Sequence, residues 1–436
     1  MTLDYDGWII VIGVLVAACC AIPGSWLVVR GMGMMGDAVS HAVLPGIAIG
    51  FLISGTRSST WMFAGAAVSG VIAALATQWV HRWGRVERGA AMGLVFTSFF
   101  AFGLLLIVQT ADHVELDPHC VLYGAIELAP LDTVTLAGLP VPRIVMPLVV
   151  VLLGNLVCTA LFFKESLISA FDPGLARAQG IHPRWMQYGL MILTAATCVA
   201  CFEAVGSIMT VAFLVAPPAA AMLLVRRMGV LLLWAVGLGA CAAAIGHLSA
   251  VTVPGWFFGR GMETSTSGMM AVMAAMIFMV VAAVAPRRGV LARWWIARRD
   301  AARVALEDAL GLLFRLEERG VSMALDEVES LWRSDVRIGP RLSHVKSMLR
   351  RRMLAQENLG QWHLTDRGRG EARDLVRAHR LWETYLAGHS SIPMSHLHTA
   401  AERLEHVTDA AMAAQLRSEV GPAEDDPHGR SIPRSS

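Results

Sequence analysis

Nine largely apolar stretches follow one another between residues 8 and 285, at 8–29, 37–54, 61–80, 89–111, 143–163, 185–204, 207–225, 229–252 and 266–285. Each approaches the roughly 20 residues that a helix needs to cross the hydrocarbon core of a bilayer. The pattern predicts an all-α polytopic membrane domain of about nine transmembrane helices over residues 1–286. Composition agrees, with 55% hydrophobic and 16% charged residues, where a soluble domain has about 45–50% and 25%. The excess is local, because residues beyond 286 read as a charged, histidine-bearing sequence.

Basic residues in short loops mark the cytoplasmic side of a membrane. Alternate loops collect Arg30; Arg82, Arg85 and Arg88; Lys164, Arg177 and Arg184; Arg226 and Arg227; and Arg287 and Arg288. The opposite set holds Arg57, Arg143 and Arg260 beside the acidic Asp112, Glu115 and Asp117. This predicts a bacterial inner-membrane protein with its N-terminus outside and its C-terminal domain in the cytoplasm; eight spans would break the alternation. No signal peptide is expected, since Asp4 and Asp6 precede the first apolar run. Six of the seven cysteines lie in or beside apolar runs, which predicts small core residues. A net charge of +2 gives no global attraction to nucleic acid.

Ionisable groups at bilayer depth cost about 2.5–3.5 kcal/mol on insertion scales, so they line pathways or pair internally. Asp37 and His41, in GDAVSHAVLPG, are one helical turn apart and share a face. Glu203 lies in CFEAVGS and His247 in AAIGHLSAV. Carboxylates with imidazoles suit manganese, iron or zinc, so these four are the expected transport-pathway residues. The plainer alternatives are that Asp37 caps the second helix and that the histidines only bridge neighbouring helices.

The segments MGDAVSHAVLPGIAIGFLISG, ELDPHCVLYGAIE, AFDPGLARAQGI and FEAVGSIMTVAFLVAPPAAAMLL resemble, in order, the permease subunits of the ATP-binding-cassette importers for manganese, zinc and iron. The resemblance covers about residues 8–285, and ELDPHCVLYGAIE looks most like the manganese/iron branch. It implies import of a divalent transition metal as substrate. It also implies an ATPase subunit, an extracytoplasmic metal-binding protein, and a second permease copy or a paired permease. The loop 164–184, with a short amphipathic stretch at 175–180, would be the ATPase-coupling helix through Phe171, Asp172, Pro173, Gly174, Ala178 and Gly180. Neither lysine, Lys164 or Lys346, lies in a GxxxxGK[ST] loop, so this chain has no phosphate cradle of its own. It is expected to be a non-catalytic subunit.

After the basic–aromatic juxtamembrane linker 287–302 come helical patterns at 303–319, 324–333 and 340–353. QWHLTDRGR reads as a short strand pair, followed by helices at 369–387 and 395–417. Three helices and a wing predict a winged-helix-like domain at 303–368, then a helical domain at 369–420 and a disordered tail at 421–436. LVRAHRLWETYL and HLHTAAERLEHV resemble the diphtheria toxin repressor family of metal-dependent regulators. That resemblance implies a metal-binding and dimerisation domain, with Asp308, Glu402, Glu405 and His406 as primary-site ligands and His379, Glu383 and His398 at a neighbouring site. Gly311 departs from the manganese-responsive branch, which carries a further carboxylate there. The mixed imidazole–carboxylate set favours manganese or iron over a structural zinc site, and affinity is expected to fall as His379 and His406 protonate below about pH 6.5. Arg341, His344, Lys346 and Arg350 to Arg352 would face DNA, although DNA is not the expected partner. Two other readings compete with a metal-sensing permease: a membrane-tethered transcription regulator and a transporter that works without an ATPase. Nine spans exceed what an anchor needs, and the coupling-helix resemblance opposes the latter.

Overall fold

The computed structural model describes residues 5–54, 59–110, 126–136, 139–258, 264–286, 289–321, 325–352, 354–358, 361–391, 393–421 and 424–434. Most of ELDPHCVLYGAIE, with Cys120, lies outside them, as do Arg287 and Arg288. The chain divides into two units, Met1–Ala292 and Arg293–Ser436.

The first unit is helical: α1 (Tyr5–Val29), α2 (Met35–Ala42), α3 (Leu44–Ser54), α4 (Ser59–Trp83), α5 (Arg88–Thr110), α6 (Val145–Leu161), α7 (Phe163–Phe171), α8 (Pro173–Ala178), α9 (Pro183–Val205), α10 (Ser207–Leu224), α11 (Met228–Phe258) and α12 (Thr266–Val284). A small antiparallel hairpin, β1 (Thr133–Leu136) and β2 (Leu139–Pro142), precedes α6. Among the described residues eight helical segments are long and apolar enough to cross a membrane, taking α2 and α3 as one; α6 with α7, bent by 69°, makes a ninth. α1 packs against α6, α9, α10 and α11, and its face of Ile9, Ile12, Val16, Cys19 and Cys20 is buried.

The second span is broken after Ala42. Pro45 has no N–H to donate back into α2 and so interrupts the ladder; Ser69 Oγ of α4 donates to the Ala42 carbonyl at 2.7 Å, the kind of repair an apolar environment demands. Below the break α3 and α4 touch by backbone. A Cβ on Gly46 would stand 2.1 Å from the Gly65 carbonyl oxygen, and one on Gly65 would stand 2.2 Å from that of Gly46. Small residues at such crossings let helices approach closely in lipid.

The second unit contains most of α13 (Val290–Glu318), then α14 (Leu325–Ser334), α15 (Leu342–Arg351), the hairpin β3 (Ala355–Asn358) and β4 (Gln361–Leu364), α16 (Asp366–His389), α17 (Met394–Leu404), a 3₁₀ turn (Glu405–Val407) and α18 (Ala410–Val420). Helix α13 is amphipathic: Leu306, Ala309, Leu310, Leu313 and Phe314 recur at helical spacing and meet Trp332, Leu349, Trp362 and Val376 in one core. The linker 287–302 is helical from Val290. Three expectations need correction. In QWHLTDRGR only QWHL is strand; its partner is AQEN, and Thr365 caps α16, accepting from Gly368 N at 3.2 Å. The helix expected at 395–417 breaks at the 3₁₀ turn. Finally, residues 424–434 are folded: the Asp426 carboxylate is buried, accepts from the N–H groups of His428 and Arg430 at 2.9 Å, and faces Arg380.

Candidate functional site

In the first unit the Asp37–His41 pair forms as its spacing predicts, with Asp37 Oδ1 3.6 Å from His41 Nε2. The His41 ring lies between Phe96 and Phe100 of α5, centroids 5.5 Å away in both cases. Glu203 stands exposed near the end of α9. His247 is 3% exposed and takes a partner that the sequence did not suggest, Asp6 at the start of α1, 3.5 Å from its Nε2.

The segment expected to couple to an ATPase contains two helices, α7 and α8, divided at Asp172. Its Oδ1 accepts from Gly174 N and Leu175 N at 3.0 and 2.9 Å, an N-cap that starts α8 at Pro173, two residues before the expected amphipathic stretch. Gly180, at φ +79°, closes the helix in the left-handed region. Ala176 is buried, while Phe171 and Leu175 project outward, 67% and 48% exposed.

Cys198–Val199–Ala200–Cys201 has CxxC spacing. Cys19, Cys20, Cys198 and Cys201 are all fully buried, with Cys20 Sγ 3.7 Å from Cys201 Sγ.

The second unit gathers two ligand sets. In the first, His379 Nε2 lies 3.1 Å from Glu383 Oε1 and 2.9 Å from His398 Nδ1, and His398 Nδ1 lies 3.0 Å from Glu383 Oε1. In the second, His406 Nε2 lies 3.1 Å from Asp308 Oδ1 and 3.6 Å from Glu405 Oε1. Carboxylates behind the imidazoles orient both sets: Glu405 Oε2 is 2.5 Å from His379 Nδ1, and Glu307 Oε2 is 2.7 Å from His406 Nδ1. Such a partner fixes the tautomer and turns the other nitrogen toward a metal. Glu405 therefore touches both sets. Glu402, expected as a primary ligand, stands apart from the cluster and pairs with Arg337 at 3.4 Å.

These groups fit a divalent cation. Among the described residues the buried Asp308 Oδ2 and His406 Nε2 have charged neighbours, Arg337 at 3.5 Å and Asp308 Oδ1 at 3.1 Å, but neither completes a well-aligned hydrogen bond, and a mixed N/O set lacking thiolate suits manganese or iron. Burial opposes charge on His379, yet the hydrogen bonds and charges of Glu383 and Glu405 outweigh it and raise its pKa to about 9. Burial likewise opposes charge on His406, which Asp308 and Glu307 raise to about 9. Glu383, despite burial, is held well below its ordinary value by His379 and His398. The expectation of titration near pH 6.5 is therefore corrected upward for the metal-free site.

Two contributors escape sequence reasoning. Glu307 adjoins Asp308, and the helical phase of α13 could have marked it. His428, whose Nε2 reaches within 4.0 Å of Glu383 Oε1, lies in the stretch read as disordered.

Residues 4–285 match the ABC 3 transport family, and residues 365–434 match the iron dependent repressor, metal binding and dimerisation domain. The chain is 39% identical to the manganese transport system membrane protein MntD of Bacillus subtilis, over 67% of this chain and 96% of that protein. It is also 39% identical to the zinc transport system membrane protein TroD of Treponema pallidum, over 66% and 77% respectively. The structure of PsaBC from Streptococcus pneumoniae in complex with Fab is similar at TM-score 0.52 and 27% identity, covering 65% of this chain and 93% of that one. With its helical bundle matched along nearly its whole length, the chain belongs to the ABC 3 transport family.

Proposed function

We propose that the chain is the permease subunit of an ATP-driven importer of divalent transition-metal cations, manganese ahead of iron or zinc, with a cytoplasmic domain that senses the imported metal. The observation that carries the transport reading is the Asp37–His41 pair, a carboxylate and an imidazole 3.6 Å apart within an apolar helix bundle. A bilayer tolerates such groups where they serve a passage. Manganese is placed first because the relative MntD is a manganese transport protein and because oxygen and nitrogen donors suit it; TroD, a zinc transport protein, keeps zinc open. On this reading Asp37 and His41 receive the cation, Glu203 and His247 belong to the same passage, and the permease works as a pair.

The absence of a phosphate cradle, together with the exposed Phe171 and Leu175 on the capped segment α7–α8, supports a separate ATPase docking there. The basic residues collected in alternate loops support a cytoplasmic location for the C-terminal unit. DNA is not favoured as a partner: Lys346 pairs with Glu329 and Arg350 lies over the Trp362 ring at 5.5 Å. The cation, when bound in the second unit, neutralises the carboxylates that otherwise repel one another. His379 and His406 present their Nε2 atoms to it, held in place by Glu405 and Glu307. The deciding measurement is uptake of labelled manganese, iron and zinc by cells co-expressing the chain with an ATPase and an extracytoplasmic binding protein. Asp37→Ala, His41→Ala and Glu203→Ala are each expected to abolish uptake with the protein still inserted. Normal uptake of all three metals by all three variants would refute the pathway.

A further inference from the structure

Asp308 and Glu402 meet the same guanidinium. Arg337 Nη1 is 3.5 Å from Asp308 Oδ2, and its Nη2 is 3.4 Å from Glu402 Oε2. The arginine lies in the turn between α14 and α15, and that turn is fixed. Asp335 Oδ1 accepts from the backbone N–H groups of Arg337 and Ile338 at 2.7 and 3.0 Å, the Arg337 carbonyl accepts from Arg341 Nη1 at 3.3 Å, and Ile338 is 1% exposed. A Cβ on Gly339 would stand 2.5 Å from the Arg333 carbonyl oxygen, so the backbone there packs closely as well.

We infer that Arg337 is a built-in competitor for the cation, which lowers the affinity of the Asp308–Glu405–His406 site and links its occupancy to the turn that leads into α15. The inference rests on the reading that this site binds metal. A guanidinium standing where two carboxylates converge offsets their charge while the site is empty. Its contacts are loose, well beyond the 2.7–2.9 Å of a strong charge-assisted pair, and the side chains of Arg337 and Glu402 are 35% and 37% exposed. Water therefore screens the pair and makes it displaceable. A bound divalent cation holds carboxylate oxygen far closer than this, at about 2.0–2.2 Å for zinc. Once it holds the Asp308 carboxylate, the guanidinium faces a like charge at close range and leaves. Arg337 is then free of Asp308, and the tie between the turn and α13 is released.

The test uses the full chain in lipid nanodiscs, with Asp37→Ala and His41→Ala present throughout to remove the cation site of the first unit. Manganese binding is measured by equilibrium dialysis with labelled metal, and amide exchange is followed in peptides covering residues 335–342. Arg337→Gln is expected to bind manganese roughly three- to tenfold more tightly, the range that two partly exposed ion pairs span. Arg337→Lys, which keeps the charge, is expected to stay within about twofold of the parent. In the parent, manganese should speed exchange at 335–342 while slowing it in α16 and α17. Equal or weaker binding by Arg337→Gln overturns the inference and leaves the metal site standing. A parent that binds no manganese, iron or zinc overturns both.

Discussion

Glu405 is the residue on which the second unit turns, because one carboxylate serves both ligand sets. Glu405→Ala should weaken manganese binding at both, whereas Glu402→Ala should cost far less; calorimetry on the two variants compares them, and equal losses would return Glu402 to the primary set. The imidazoles set a pH dependence of two signs. His379 and His406 have folded pKa values near 9 against 6.5 in an unfolded chain. Their contribution to the stability of the metal-free domain is fully present below pH 6.5 and lost as pH rises through about 9. Metal affinity runs the other way, since binding requires neutral imidazole and releases the protons. Manganese binding should therefore strengthen steadily between pH 6.5 and 9 while the metal-free domain melts earlier. Affinity that is flat above pH 7 would place both histidines near their ordinary value.

Helix α8 is short, and its N-cap and closing glycine do what propensity cannot. A bulky ring at exposed Ala178 leaves that geometry intact while changing the surface offered to a partner. Ala178→Trp is expected to reduce co-purification with the ATPase, and Phe171→Ala to do the same by removing an apolar contact; full transport by both would make the segment a mere connector. Gly174 is less suitable for this test, because a Cβ there would stand 3.2 Å from the capping Asp172 Oδ1. At this scale the sequence was most legible where period and length agree. The apolar runs located the long helices because about 20 consecutive apolar residues have few other uses. The pairing of Asp37 with His41, and of His379 with Glu383, follows from one helical turn. Contacts between distant segments were not legible: Asp6 with His247, Glu307 with His406 and Arg337 with Asp308 depend on packing that no local pattern encodes. The 424–434 stretch misled because its Pro, Asp and Ser content signals disorder, while one buried carboxylate, Asp426, organises it.

As a whole molecule the chain joins a bundle of the ABC 3 transport family with a domain matching the metal binding and dimerisation domain of iron dependent repressors; on the proposed function both meet the same class of cation. If the domain lies on the product side, it reads the pool that import fills, and occupancy should slow import when that pool is full. In proteoliposomes carrying the ATPase, internal manganese is expected to reduce uptake several-fold, and Glu405→Ala should abolish that response while leaving uptake from low internal metal unchanged. Uptake indifferent to internal metal in both proteins would leave the domain without a regulatory part. Removing residues 424–436 strips Arg380 of Asp426 and the Ser431 carbonyl, so the second unit should melt at a lower temperature than in the full chain.

The backbone contact between α3 and α4 has an inherited consequence. Glycine is the smallest residue, so no single codon change at Gly46 or Gly65 can shrink what stands there, and every exchange adds an atom where a carbonyl oxygen already lies about 2 Å away. The two positions sit at the end of a one-way street: drift can loosen this crossing, and no further step at either position can tighten it.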